Sequence, residues 1–374
     1  MIKFFVNTCE LKNTLTMFNH LASPWSTDNL VQLSLTSNDL SLAAQQGGVE
    51  TTKCLTVQNH SGTDASFEIE IISLMSMVDS IRDETTCCSF DEELGLLLIN
   101  CWDGTEFTHP TVEPIKPFEK FAIKPAKIAH VFEPKQFRPL FHTLRQATSF
   151  EETRYYLNSV YWDLSELPKA TLVATDGHKL VTYAYDLPKF VKPMAGPVIP
   201  RTLIEQTLRL CGNSRVTLNF DGKYLCTEFN GMRVAAEQID GIFPDYRSVT
   251  PNASQRPHII TFDRKHFLSM VEKLRGVKTL DGWFECDAEN KVRVGARRNG
   301  DGTPCLCTIT TQVNWPQDCT LKKIGFNPNY LHQYAKSAIG KEVTFCLCDD
   351  AMKPALFFDG NKALTRVLMP RKTS

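Results

Sequence analysis

The chain has 374 residues, 42% of them hydrophobic and 22% charged, with a formal charge of −1. That length exceeds one ordinary core and suits two or three domains of about 100–200 residues each. The composition excludes disorder and fibrous repeats, and the near-neutral charge excludes a protein that simply coats nucleic acid; a nucleic-acid partner would need basic groups gathered on one surface.

Six segments place apolar residues three and four apart with polar residues between them, the pattern of a helix with one buried face. In chain order they are Cys9–Ala22, Ile71–Asp83, Lys135–Ala147, Pro200–Cys211, Asp263–Arg275 and Asn327–Ala338, and their starts fall 62–65 residues apart. Asp263 and Asn327 are expected N-caps, Pro200 and Pro328 stand near first turns, and Gly212, Gly276 and Gly340 follow last turns. Pro139 removes a backbone bond early in the third helix and is expected to kink it. Between helices, short alternating runs such as 216–220, 223–228 and 233–237 read as strands, separated by the turn pairs Asp221-Gly222 and Asn230-Gly231. One helix followed by several strands, repeated, predicts an α+β fold with helices on one face of antiparallel sheets.

Residues 114–125, rich in Pro and Lys, and 250–258, with Pro251, Asn252 and Pro257, read as linkers. They divide the chain into 1–124, 125–252 and 253–374, each holding two helix-plus-strands units. An even recurrence of this kind points to an extended array or a ring. No run approaches the ~18 apolar residues that cross a bilayer, and the first twelve residues turn polar too early for a secretory leader. The expected compartment is the cytoplasm, with no membrane partner.

Thirteen cysteines are present without a C-x-x-C pair. They read as reduced thiols; the pairs Cys305/Cys307 and Cys346/Cys348 share a strand face but lack a second pair at zinc spacing, so apolar filler is expected, with no metal and no cofactor. The helical segments hold twelve Lys/Arg against six acids, which leaves the remainder of the chain at −7. Lys12, Arg138, Arg145, Arg201, Arg209, Lys273 and Lys336 are therefore candidate contacts to the backbone of duplex DNA, bound without base readout. The plainer alternative is a solvated face with i, i+4 pairs such as Arg201, Glu205 and Arg209.

The nearest approach to a catalytic pair is Asp176-Gly177-His178. Neighbours in one turn rarely form a coupled dyad, and no nucleophile elbow, phosphate loop or metalloprotease motif accompanies them, so no enzyme is expected. The stretch 297–302, basic beside glycines, reads as a hairpin tip.

Four segments occur in a recognisable order: Glu152-Thr153-Arg154-Tyr155-Tyr156-Leu157-Asn158-Ser159-Val160, Ala174-Thr175-Asp176-Gly177-His178-Lys179-Leu180, Gly241-Ile242-Phe243-Pro244-Asp245-Tyr246-Arg247 and Met369-Pro370. Together with the total length they resemble the β subunit of bacterial replicative polymerase, the sliding-clamp family. The resemblance implies three similar domains, a ring of two head-to-tail subunits with helices around the hole, and a hydrophobic pocket between the second and third domains. There, polymerase subunits, the clamp loader and repair proteins would dock short linear peptides.

Carried over by position, that pocket would use Leu157, Thr175, Gly177, His178, Lys179 and Leu180, then Pro244, Ser248 and Val249, and finally Pro354, Val367, Leu368, Met369 and Pro370. Tyr155 and Tyr156 would stand near DNA, and Phe107 and Leu274 at the dimer contact. Lys179 and Ser248 replace residues commonly Arg in the family, His109 stands where an apolar residue is usual, Trp25 occupies a loop position that often carries Arg, and the tail 371–374 differs. A second reading keeps the fold but makes the chain a peptide-docking adaptor that is never loaded on DNA.

Overall fold

The computed structural model describes residues 1–20, 29–112, 121–187, 193–298 and 305–372. The six expected helices form as α1 (Thr8–Asn19), α2 (Ile71–Ser80), α3 (Pro134–Ala147), α4 (Arg201–Leu210), α5 (Arg264–Gly276) and α6 (Pro328–Ser337). The caps explain where several begin. Asp263 accepts a hydrogen bond from the His266 amide at 2.8 Å and Asn327 from the Asn329 amide at 2.9 Å; Asn7 does the same for α1 through Glu10 at 2.9 Å. Pro200 ends a three-residue strand directly before α4, and one expected marker falls elsewhere: Gly276 is the last residue of α5 rather than the residue beyond it. The apolar stripes point inward as read, with Leu11, Leu15 and Phe18 buried on α1 and Phe267, Val271 and Leu274 on α5.

The chain divides into two compact units, 1–137 with 202–238, and 138–201 with 239–374. The central third contributes to both.

In the first unit, nine strands run in the order Glu106–Pro110, Leu96–Asn100, Thr85–Asp91, Ile2–Asn7, Val49–Ser61, Met232–Glu237, Tyr224–Phe229, Val216–Phe220 and Ile128–Phe132, with Leu30–Leu35, Asp39–Gln46 and Ala65–Glu70 branching from this path. The join between Val49–Ser61 and Met232–Glu237 is antiparallel, with Val234 opposite Thr51. Beside it the buried Glu50 pairs with Arg233 at 3.2 Å. Asn230 and Gly231 both take positive φ, 49° and 68°, the geometry a two-residue hairpin requires.

In the second unit, an eight-stranded sheet runs Val198–Pro200, Ser159–Asp163, Lys169–Thr175, Lys179–Asp186, Leu364–Leu368, Ala355–Phe358, Glu342–Leu347 and His258–Asp263. A separate sheet of four orders Cys305–Asn314, Lys291–Arg298, Gly282–Cys286 and Lys323–Phe326. Its core is aromatic: Phe262, Phe267, Phe284, Phe326 and Phe345 meet with ring centroids 5.0–6.2 Å apart. Offset and edge-on contacts of this kind add about 0.5–1.5 kcal/mol each to the area they bury.

Every named strand pair is antiparallel, as the alternating pattern predicts. The stretch read as a second linker is structured: Ala253–Gln255 forms a short turn of helix closed by a capping box on Asn252, and His258 already begins a strand. Part of the first linker, Trp25, the hairpin tip at 299–302 and the last two residues lie outside the described residues, although the strands flanking the tip do pair. No helix among the described residues is long and apolar enough to cross a membrane.

Candidate functional site

A cleft in the second unit is built from three local structures. The first is the tight turn joining Lys169–Thr175 to Lys179–Asp186. Asp176 Oδ1 accepts the amides of His178 and Lys179, both at 2.9 Å, and Thr175 Oγ1 accepts the Gly177 amide at 3.0 Å. Gly177 sits at φ +87°, where a side chain would strain the backbone. The Asp176 carboxylate is thus occupied by the turn and by Lys179, 3.5 Å from its other oxygen, while His178 is exposed. This is turn chemistry, not a catalytic dyad.

The second wall is Gly241–Arg247. Phe243 stacks on Tyr161 with centroids 5.2 Å apart, and the Tyr246 hydroxyl donates to Asp163 Oδ2 at 2.8 Å. Arg247 pairs with the same carboxylate at 2.6 Å and with Glu166 at 3.2 Å. Burial pushes the Asp163 carboxyl up, but hydrogen bonds from Ser165 and Tyr246 and the Arg247 charge prevail and hold it below the usual carboxylate range. Burial, and then donation to Asp163, push the Tyr246 phenol well up.

The third wall is the strand pair Lys179–Asp186 and Leu364–Leu368, with Leu180 opposite Val367. Leu157, Val173, Leu180, Val198 and Val367 form the buried floor.

The cleft encloses about 310 Å³ and is lined by Leu157, Thr175, Gly177, Lys179, Leu180, Pro244, Val249, Val367 and Met369 of the expected set. Arg154, Tyr156, Asp245 and Tyr246 line it as well. Tyr156, expected at DNA, turns into the cleft, whereas Tyr155 is exposed and its hydroxyl donates to the Asp240 carbonyl at 3.1 Å. A wider groove of about 660 Å³ shares Val249 and Met369 and holds Ser248 and Pro354 beside Met352 and Arg256.

Three expected cleft residues lie elsewhere. Leu368 is 1% exposed and opposite Lys179 and Ala355, one step out of phase with Val367; because strand side chains alternate, it faces away. Pro370 lies beyond the end of that strand and lines neither groove. His178 lines a separate depression with Arg145, Arg201 and Tyr330.

Lys179 is only 5% exposed, so it is a buried cation and not a rim group. Its ammonium donates to Gln333 Oε1 at 2.7 Å and lies 4.4 Å from the centre of the Tyr330 ring. Burial lowers its pKa, opposed by Asp176; burial raises the Tyr330 phenol to about 12.

Of the basic residues expected at DNA, Arg209, Lys273 and Lys336 are exposed, and Arg138 and Arg145 are half-buried. Lys12 has a structural task, donating to the Asp79 and Ile81 carbonyls at 3.0 and 2.7 Å, where it closes the C-terminal end of α2. Arg201 lies over the Phe150 ring at 3.6 Å and donates to Thr148 Oγ1. Phe107 is half-exposed on the strand that ends the first sheet. Leu274 is fully buried in the core and presents no surface to a second subunit, which corrects its placement at the dimer contact.

Residues 132–245 match the family model for the central domain of the DNA polymerase III β subunit. The beta sliding clamp of Caulobacter vibrioides is 28% identical over 247 residues, an alignment that spans 62% of this chain and 62% of that protein. That of Rickettsia bellii is 25% identical over 337 residues, 83% of this chain and 80% of the relative. Among solved structures, the Pseudomonas aeruginosa DNA polymerase III β subunit superposes with a TM-score of 0.85 at 20% identity, covering 99% of this chain and all of that one. The Bartonella birtlesii sliding clamp bound to griselimycin superposes with a TM-score of 0.84 at 23% identity, both chains being covered completely.

Proposed function

We propose that this chain, a member of the DNA polymerase III β-subunit family, works as a sliding clamp that encircles duplex DNA and tethers polymerase and repair proteins through short peptides. The observation that carries the reading is the cleft: Leu157, Leu180, Val249, Val367 and Met369 line it beside a few polar groups, Thr175, Lys179 and Asp245. Pockets of this composition take peptide side chains such as Leu and Phe while their rims fix orientation. The griselimycin-bound relative shares the fold.

In this reading the domains are 1–124, 125–252 and 253–374, and two copies close a ring head to tail. Support comes from two sheet ends, Glu106–Pro110 in the first unit and Cys305–Asn314 in the second, each paired on one side only among the described residues. Such ends invite pairing with another chain, and unlike ends on one subunit produce a closed ring when the rotation fits. Exposed Arg209, Lys273 and Lys336 supply sequence-independent phosphate contacts, and the protein works in the cytoplasm at the nucleoid. No catalytic step belongs to it.

A labelled peptide bearing Leu and Phe anchors should bind the chain saturably. Val249→Asp and Met369→Asp, at partly exposed lining positions, should weaken it by about 10–100-fold, each charge being desolvated by an apolar ligand. Equal affinity in both variants would remove the cleft from the proposal.

A further inference from the structure

We propose that His258, Cys319 and Asp349 form a binding site for a divalent ion of the zinc class. His258 opens the strand His258–Asp263 and stands opposite Leu347, so the chain leaving Glu342–Leu347 carries Asp349 back beside it. Cys319 comes from the connection between Cys305–Asn314 and Lys323–Phe326, where the Trp315 indole holds the Leu321 carbonyl at 2.9 Å. The imidazole nitrogen, the thiol sulfur and a carboxylate oxygen all lie within 4.8 Å of one another.

Two further observations point to a ligand. The Asp349 carboxylate is already aimed, because Oδ1 accepts both the amide and the hydroxyl of Thr320 at 2.7 Å, leaving Oδ2 toward His258. Outer hydrogen bonds of this kind orient the carboxylates of metal sites. The second is the approach of His258, a residue 7% exposed, whose Nε2 pairs with Asp349 Oδ2 at 3.1 Å, so that imidazole and carboxylate already face one another. Nitrogen and oxygen ligands about 2.0–2.2 Å from one tetrahedral ion stand roughly 3.3 Å apart, so this spacing suits two ligands of a shared ion.

A sulfur and an imidazole nitrogen favour zinc over magnesium or calcium. On loading, the Cys319 thiol would give up its proton to solvent and the sulfur would bind as thiolate; no electron transfer is involved. The Asp349 side chain is 52% exposed, which opens a fourth position to water. The ion would fasten the segment after Leu347, which runs on through Met352 and Pro354 in the wall of the wider groove.

The test titrates reduced, metal-free protein with Zn²⁺ against a chromophoric chelator and, in parallel, with Co²⁺ followed by absorption. One equivalent of Zn²⁺ should bind tightly, and Co²⁺ should give a sulfur charge-transfer band. Cys319→Ser should abolish the band, and His258→Gln and Asp349→Asn should each lower Zn²⁺ affinity, while Cys9→Ser and Cys54→Ser, both exposed elsewhere, change nothing. Circular dichroism in chelator keeps only folded variants in the comparison, and the half-exposed Asp349 gives a substitution that spares the core. Failure of the wild-type chain to take up one equivalent, or unchanged binding in His258→Gln and Asp349→Asn, overturns the site.

Discussion

Asp163 is 2% exposed and receives the Tyr246 hydroxyl and the Arg247 guanidinium together, so one carboxylate anchors the Gly241–Arg247 wall to the strand Ser159–Asp163. Its Arg247 partner is 43% exposed, and solvent screening discounts the ion pair. Removing the charge leaves mainly the hydrogen bonds at stake, and Asp163→Asn should cost about 1–3 kcal/mol at neutral pH. The pH dependence follows from the depressed pKa. The unfolded chain holds this proton more tightly, with a pKa of about 3.9, so the stabilisation is complete above that value and is lost as pH falls through the lower, folded one. Denaturant melts at pH 6 and pH 3 should therefore show a smaller acid loss in Asp163→Asn than in the wild type; equal losses would show that Asp163 carries none of the dependence. At this scale the sequence marked the right segments but not the orientation of each side chain. Val367 and Leu368 were both legible as candidates, whereas only alternation within a strand separates the one from the other.

The helices were the most legible elements, because a 3.6-residue apolar period and polar caps are local signals. Strand partners were not legible: the pairing of Val49–Ser61 with Met232–Glu237 joins residues about 180 positions apart, with nothing in either run to specify the other. Linkers were half legible, since Pro251 and Asn252 signal a break, yet the Asn252 capping box makes that break an ordered turn. Pro139 is a conflict between local and global preference. It sits inside α3, where it cannot donate to the carbonyl of Lys135, while its own carbonyl accepts the Thr143 hydroxyl at 2.8 Å. Pro139→Ala restores a donor in backbone that is already helical, at the loss of some unfolded-state restriction, for a net gain of up to about 2 kcal/mol. Thermal unfolding should show a higher Tm; a lower one would mean that the ring packs where a methyl cannot.

On the scale of the whole molecule, the proposed activity is topological. A closed ring holds DNA without gripping it, and a tethered polymerase meets the primer end at high effective concentration after each release. The excess of Lys/Arg on the six helical segments, against an acidic remainder, suits attraction to phosphates without base readout. None of this requires base readout or catalysis, and the adaptor reading differs from it only in whether DNA is enclosed. Retention on DNA decides between them. Labelled protein should be incubated with an ATP-driven bacterial clamp loader and nicked circular DNA and then separated by gel filtration in moderate salt, before and after the circle is cut once. The clamp account predicts co-elution with the circle and release on linearisation; co-elution that survives cutting, or none with the circle while the peptide still binds the cleft, would contradict it.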